Sequence, residues 1–146
     1  TKEVAIKESG ANLEVTGIRV IKYPIDYKSG DNVDNDYVYY RYSDVLLMKA
    51  EALLRTGNAA GALDIVNQIR TKRGASPLAA LTTDNLLAER GRELYWEGHR
   101  RTDLIRFGKF LNAWEEKAAS GKERLLFPIP TQSLASNPNL KQNPGY

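Results

Sequence analysis

Glu93 and Glu97, two carboxylates one helical turn apart, are the residues of this chain whose type and spacing could break a bond. A turn of helix separates them by about the distance between the two carboxyl groups of a retaining glycosidase. That reaction needs one carboxyl kept protonated as a general acid. The surrounding sequence is crowded with arginines, which hold carboxylates ionised. Plotted at about 100° per residue, Arg90, Glu93 and Glu97 fall in the sector of Leu86, Leu87 and Leu94 rather than opposite it. Charge is thus aimed at the core, where an isolated ion is too costly, and pairing is expected with Arg41, Arg70, Arg73, Arg100 or Arg106. Asp44 and Glu89 are read as further members of this structural network. Asp103, at the start of a fourth helix, is read as a dipole-complementing cap that could also hold an arginine. No catalytic residue, cofactor or metal site is assigned.

Other chemistries are narrowed by what the chain contains. Zero cysteines exclude disulfides, thiolate nucleophiles and zinc-cysteine sites, and the single His99, read as a polar turn residue, does not make a histidine cluster. The segment KSGDNVDND, Lys28 to Asp36, lacks the closing Glu of a calcium loop and is read as a solvated loop. A net charge of +3 and a pI near 9.1, with both signs well mixed, do not make the basic stripe of a nucleic-acid groove. No run approaches the roughly 18 apolar residues of a membrane helix.

The elements that must position these side chains are mostly helices. Residues 40–57, YRYSDVLLMKAEALLRTG, read as a helix apolar on two faces: Leu46, Leu47, Ala50, Leu53 and Leu54 in one sector, Val45, Met48 and Ala52 nearly opposite. A helix greasy on both sides is expected to be an inner layer. Gly57 suits a left-handed C′ position and Asn58 an N-cap, so a second helix follows at once with Ala59, Ala62, Ile65, Val66 and Ile69 as its stripe. Small alanines at the crossing make this resemble one tetratricopeptide-type hairpin over 43–73. After a connector from Gly74 to Leu81, Thr82 or Thr83 caps a third helix to about Glu97, ended by Gly98. A fourth, from about Arg101, carries Leu104, Phe107, Leu111 and Trp114, with Gly108 able to kink or split it.

Residues 1–36, with Val4, Ile6, Val15, Ile18, Val20 and Ile21 broken by Gly10, Gly17 and Pro24, read as an extended arm. Residues 121–146 read as an irregular strap in which LLFPIP, Leu125 to Pro130, is extended and Thr131 caps a last short turn. With 146 residues, 42% of them hydrophobic, the expectation is a single, mainly α domain: the hairpin packed on two further helices over 83–120, with arm and strap. The start at Thr1 reads as a processed product or an excised piece.

The ordered set RYSDVLLMKAEALLRTGN, ALDIVNQIRTKRG, ERGRELYWEGHRRTDLIRFGKF, LLFPIP and NPNLKQNPGY, from about Tyr37 to Tyr146, resembles the C-terminal part of the SusD/RagB family. The resemblance implies a surface lipoprotein of the Bacteroidetes outer membrane that captures a nutrient, a glycan foremost, and works with a SusC-like TonB-dependent transporter. It implies no enzyme and no nucleic acid, and membrane attachment only through a lipid anchor upstream of this chain. Its ER..EL..EG.R..DL.R pattern falls on Glu89, Arg90, Glu93, Leu94, Glu97, Gly98, Arg100, Asp103, Leu104 and Arg106. Glycans are held by directed hydrogen bonds and aromatic stacking, and the loop aromatics Tyr23, Tyr27, Tyr37, Tyr39 and Trp114 are the candidates for contact. Tyr95 and Trp96 are read as pointing away from the charged sector. An excised piece would show apolar surface around Val45, Met48 and Ala52 and would self-associate or be marginal alone. The competing reading is a tetratricopeptide-like adaptor gripping a peptide.

Overall fold

Tyr42–Arg55 forms α1 and Ala59–Lys72 forms α2, joined by the glycine turn. The computed structural model describes residues 16, 17, 20, 22, 23, 27–30, 32–114 and 117–146. In it Gly57 sits at φ 89, where a side chain would be strained. Its N–H donates to the Leu54 carbonyl at 3.3 Å and that of Asn58 to the Leu53 carbonyl at 2.8 Å, the double closure of a Schellman turn. Asn58 also opens α2, its side-chain oxygen accepting from the Gly61 amide at 2.9 Å. One residue therefore ends a helix and starts the next. Asn58→Ala is expected to lower stability by about 1 kcal/mol, seen as a lower urea midpoint at unchanged slope.

Contacts gather the chain into two units, Thr1–Tyr37 and Val38–Tyr146. The described residues of the first unit are turns, bends and irregular backbone. Of the residues on which the extended arm was expected, Val4, Ile6, Gly10, Val15, Ile18, Ile21 and Pro24 lie outside the described residues, while Gly17 is in a bend and Val20 in irregular backbone. In the second unit α3 (Thr83–Glu93), α4 (Arg100–Arg106) and α5 (Thr131–Ser136) follow the hairpin, with a 3-10 turn at Lys122–Leu125. The fold is mainly α. Among the described residues the only sheet-like pairing is the bridge between Trp114 and Lys117.

Leu47 and Ala50 of α1 meet Ala62, Ile65, Val66 and Ile69 of α2, and Leu81, Leu86 and Leu94 close the cluster from the α3 side. Alanines at the crossing let the two backbones approach. The opposite sector of α1 has no such cover: Val45, Met48 and Ala52 are exposed. The inner-layer expectation is corrected within this chain, because α2 and α3 pack on one side of α1 and leave the other open.

Two helices are shorter than their periodicity predicts. α3 ends at Glu93, not Glu97, and the Glu93 carbonyl, the acceptor that another helical turn would have used, accepts from Arg41 Nη2. The Glu97 amide turns instead to the Leu94 carbonyl at 3.1 Å, and Trp96 takes φ 63. α4 ends before Gly108, at φ 69, with the Lys109 amide on the Leu104 carbonyl at 2.8 Å. Leu111 and Trp114 are thus off the helix. Thr82 caps α3, accepting from the Asn85 amide at 3.1 Å, whereas Thr131 is the first residue of α5 and does not cap it.

The strap is held by side chains standing in for a neighbouring strand. Prolines at 128 and 130 donate nothing, and both backbone groups of Ile129 between them are taken by the Gln142 amide, at 2.8 and 3.0 Å. Asn143 donates to the Phe127 carbonyl at 2.7 Å and the Tyr146 hydroxyl to that of Leu126 at 2.9 Å. Arg101 joins the strap to α4 through the Arg124 carbonyl at 2.9 Å and the face of Phe127.

Candidate functional site

Arg90 is the hub of the charge inside the second unit. Its side chain is 3% exposed, with Nε 2.8 Å from Asp103 Oδ2 and Nη2 3.0 Å from Asp44 Oδ1, two carboxylates themselves almost wholly buried. These pairs tie α3 to α4 and to the first turn of α1. Asp103 also accepts from Arg106 at 2.7 Å, and Arg106 forks onto both oxygens of Glu51 at 2.9 Å. Asp103 does not cap α4: His99 holds that position without a side-chain bond.

A second cluster surrounds Glu93. Arg41 Nη1 lies 2.6 Å and Arg73 Nη2 2.7 Å from Glu93 Oε1, and Arg41 Nε lies 2.8 Å from Glu97 Oε2. Burial alone would raise the Glu93 carboxyl, but the hydrogen bonds from Arg73 and Arg41 outweigh it and bring the pKa down to about 2. The same balance, burial against Arg106 and Arg55, lowers Glu51. A carboxyl in this state is a poor proton donor at neutral pH. Arg70 pairs with Glu89 at 2.7 Å. Arg100 departs from its expected role and donates to the Leu87 carbonyl at 3.1 Å.

Glu51, Arg55 and Arg92 belong to this network without having been singled out from the sequence. Asp44 and Glu51 are seven residues apart on α1, so both stand at the edge of the Leu47 face; that spacing was the available signal. Of the candidate aromatics, Tyr27, Tyr37, Tyr39 and Trp114 are exposed and Tyr23 is half-buried. Lys117 Nζ stands 4.5 Å from the centroid of the Trp114 ring, occupying one face of the indole. Tyr95 and Trp96 are exposed too, and they line a cleft with Arg90 rather than standing away from the charge.

A helical hairpin braced by an arginine and carboxylate core defines a scaffold class, and its family follows from comparison. The sequence model of the SusD family matches residues 4–146, and the chain belongs to that family. It is 31% identical over 146 residues to the starch-binding protein SusD of Bacteroides thetaiotaomicron, an alignment covering 89% of this chain and 26% of that protein. Among solved structures it resembles surface glycan-binding protein A from Bacteroides uniformis, with TM-score 0.70 and 34% identity over 80% of this chain and 29% of that one. It also resembles a SusD superfamily protein from Parabacteroides distasonis, with TM-score 0.75 and 28% identity over 97% of this chain and 35% of that one. The chain thus spans about a quarter to a third of the length of these relatives.

Proposed function

We propose that this chain is part of a non-catalytic glycan-binding protein of the bacterial cell surface, lipid-anchored at the outer membrane and working with a SusC-like TonB-dependent transporter. One observation carries the binding reading over an enzymatic one. Glu93, the leading candidate for acid chemistry, accepts from two arginines and is held ionised, so it has no proton to give, and Glu97 is itself paired with Arg41. The names of the starch-binding and glycan-binding relatives support the ligand class. In this reading the charge network, from Arg41 and Asp44 through Glu89 and Arg90 to Asp103 and Arg106, is scaffold, and exposed aromatics meet the sugar.

Titration calorimetry of the natural full-length protein against a panel of oligosaccharides tests the binding reading. Saturable binding without release of new reducing ends is expected, and turnover abolished by Glu93→Gln would refute the assignment. Copurification from membranes tests the partner: a large β-barrel is expected, whereas soluble peptide partners alone would favour the adaptor reading.

A further inference from the structure

A cleft of about 680 Å³ beside α3 and α4 has features that bracing the helices does not use. Arg90 lines it, and although Nε and Nη2 are taken by Asp103 and Asp44, Nη1 is buried without a partner. His99, which also lines the cleft, has its Nε2 buried without a partner as well. A buried polar atom left without a partner is costly, and in a native protein such an orphan points to something that satisfies it. Arg100, exposed and with its Nη1 already on the Leu87 carbonyl, brings a further guanidinium to the cleft. It lies across Gly91, where a Cβ would come 2.8 Å from its Nη1, so the missing side chain is what lets the guanidinium rest on α3. Arg92, paired with Glu89 at 2.6 Å, and Arg101, which holds the Arg124 carbonyl, also line the cleft, and its one acid, Asp103, is already neutralised by Arg90 and Arg106.

The rim is aromatic. Trp96 is 62% exposed and held at φ 63, a left-handed conformation costly for a bulky residue. Tyr95 stands beside it. An exposed aromatic pair next to an excess of guanidinium suits a ring that stacks and carries negative charge. Guanidinium N–H groups fork onto paired oxygens of a carboxylate or sulfate, whereas a neutral sugar leaves that charge unanswered.

We propose that this cleft binds an anionic sugar residue, its ring against Tyr95 and Trp96 and its carboxylate or sulfate group on Arg90 Nη1, His99 and Arg100. The inference rests on the glycan-binding reading above and narrows it. The test titrates the natural full-length protein with an oligogalacturonide, its methyl ester of equal length and a sulfated galacto-oligosaccharide. At least one anionic form is expected to bind about tenfold or more tighter than the ester, and Arg100→Gln or Trp96→Gly to remove about tenfold of that affinity. Glycine suits the φ at position 96, and an unshifted thermal melt shows that each variant is folded. Preference for the free acid assigns the anion as carboxylate, and preference for the sulfated ligand as sulfate ester. Failure of both the free acid and the sulfated ligand to bind tighter than the ester, unchanged affinity in both variants, or another segment of the protein filling the cleft would overturn the proposal. A protein that binds neutral glycans but no anionic one sinks this inference alone, and one that binds no glycan sinks the parent reading too.

Discussion

Arg90→Ala is expected to cost about 3–5 kcal/mol of folding stability, a large share of what a domain of this size has. The loss arises less from the missing pairs than from what they leave behind. Asp44 is 2% exposed and Asp103 1%, so removing the guanidinium strands Asp44 in the interior and leaves Asp103 with Arg106 alone. A buried ion cannot recover its hydration without opening the helices around it. Replacing the charge with its main orphan removed should therefore be milder. The double variant Arg90→Met with Asp44→Leu is expected to recover about 1–2 kcal/mol relative to Arg90→Met alone. Urea denaturation of the single and double variants measures both quantities. A loss below about 1 kcal/mol in Arg90→Ala would place these charges in water and remove the scaffold role.

Acid is expected to weaken the fold through Glu93. Its carboxyl titrates at about 2 in the folded chain against an ordinary 4.5, so the unfolded chain takes up the proton first as pH falls. The contribution is fully present above the ordinary carboxylate range and is lost as pH drops through about 2. That displacement corresponds to at most on the order of 3 kcal/mol, reduced by solvent screening of the half-exposed Arg73, and Glu51, lowered by Arg106 and Arg55 against its burial, adds to the same acid limb. Glu93→Gln should therefore be less stable than the parent chain at pH 7 and approach it towards pH 2. Stability measured at stepped pH checks this, and two parallel curves would show that Glu93 carries no such linkage.

Local pattern made much of this legible. Gly57 and Asn58 announce the hairpin because one residue type tolerates positive φ and the other accepts an amide bond, and both properties act within a few residues. The wheel of α3 placed Arg90 and Glu93 among leucines, which is enough to say that charge goes inward. It did not name the partners. Asp44 lies 46 positions from Arg90, and Glu51 is matched by Arg106 on another helix, pairings that no single-helix period encodes.

The cleft escaped the sequence for a related reason. Helical periodicity runs through Trp96 to Glu97, yet α3 stops at Glu93, whose carbonyl accepts from a guanidinium at the start of α1. Everything after that, the left-handed Trp96, the seat of His99 and the path of Arg100 over Gly91, depends on that stop. Short-range sterics and hydrophobic period control the properties that were legible along the chain: helical hairpin, core face, turn glycines and family pattern. Tertiary structure alone decided which charge meets which, where the third helix ends and which donors are left over. Ion pairing is settled by the distance between side chains once helices have packed, and that distance is not a function of position along the chain.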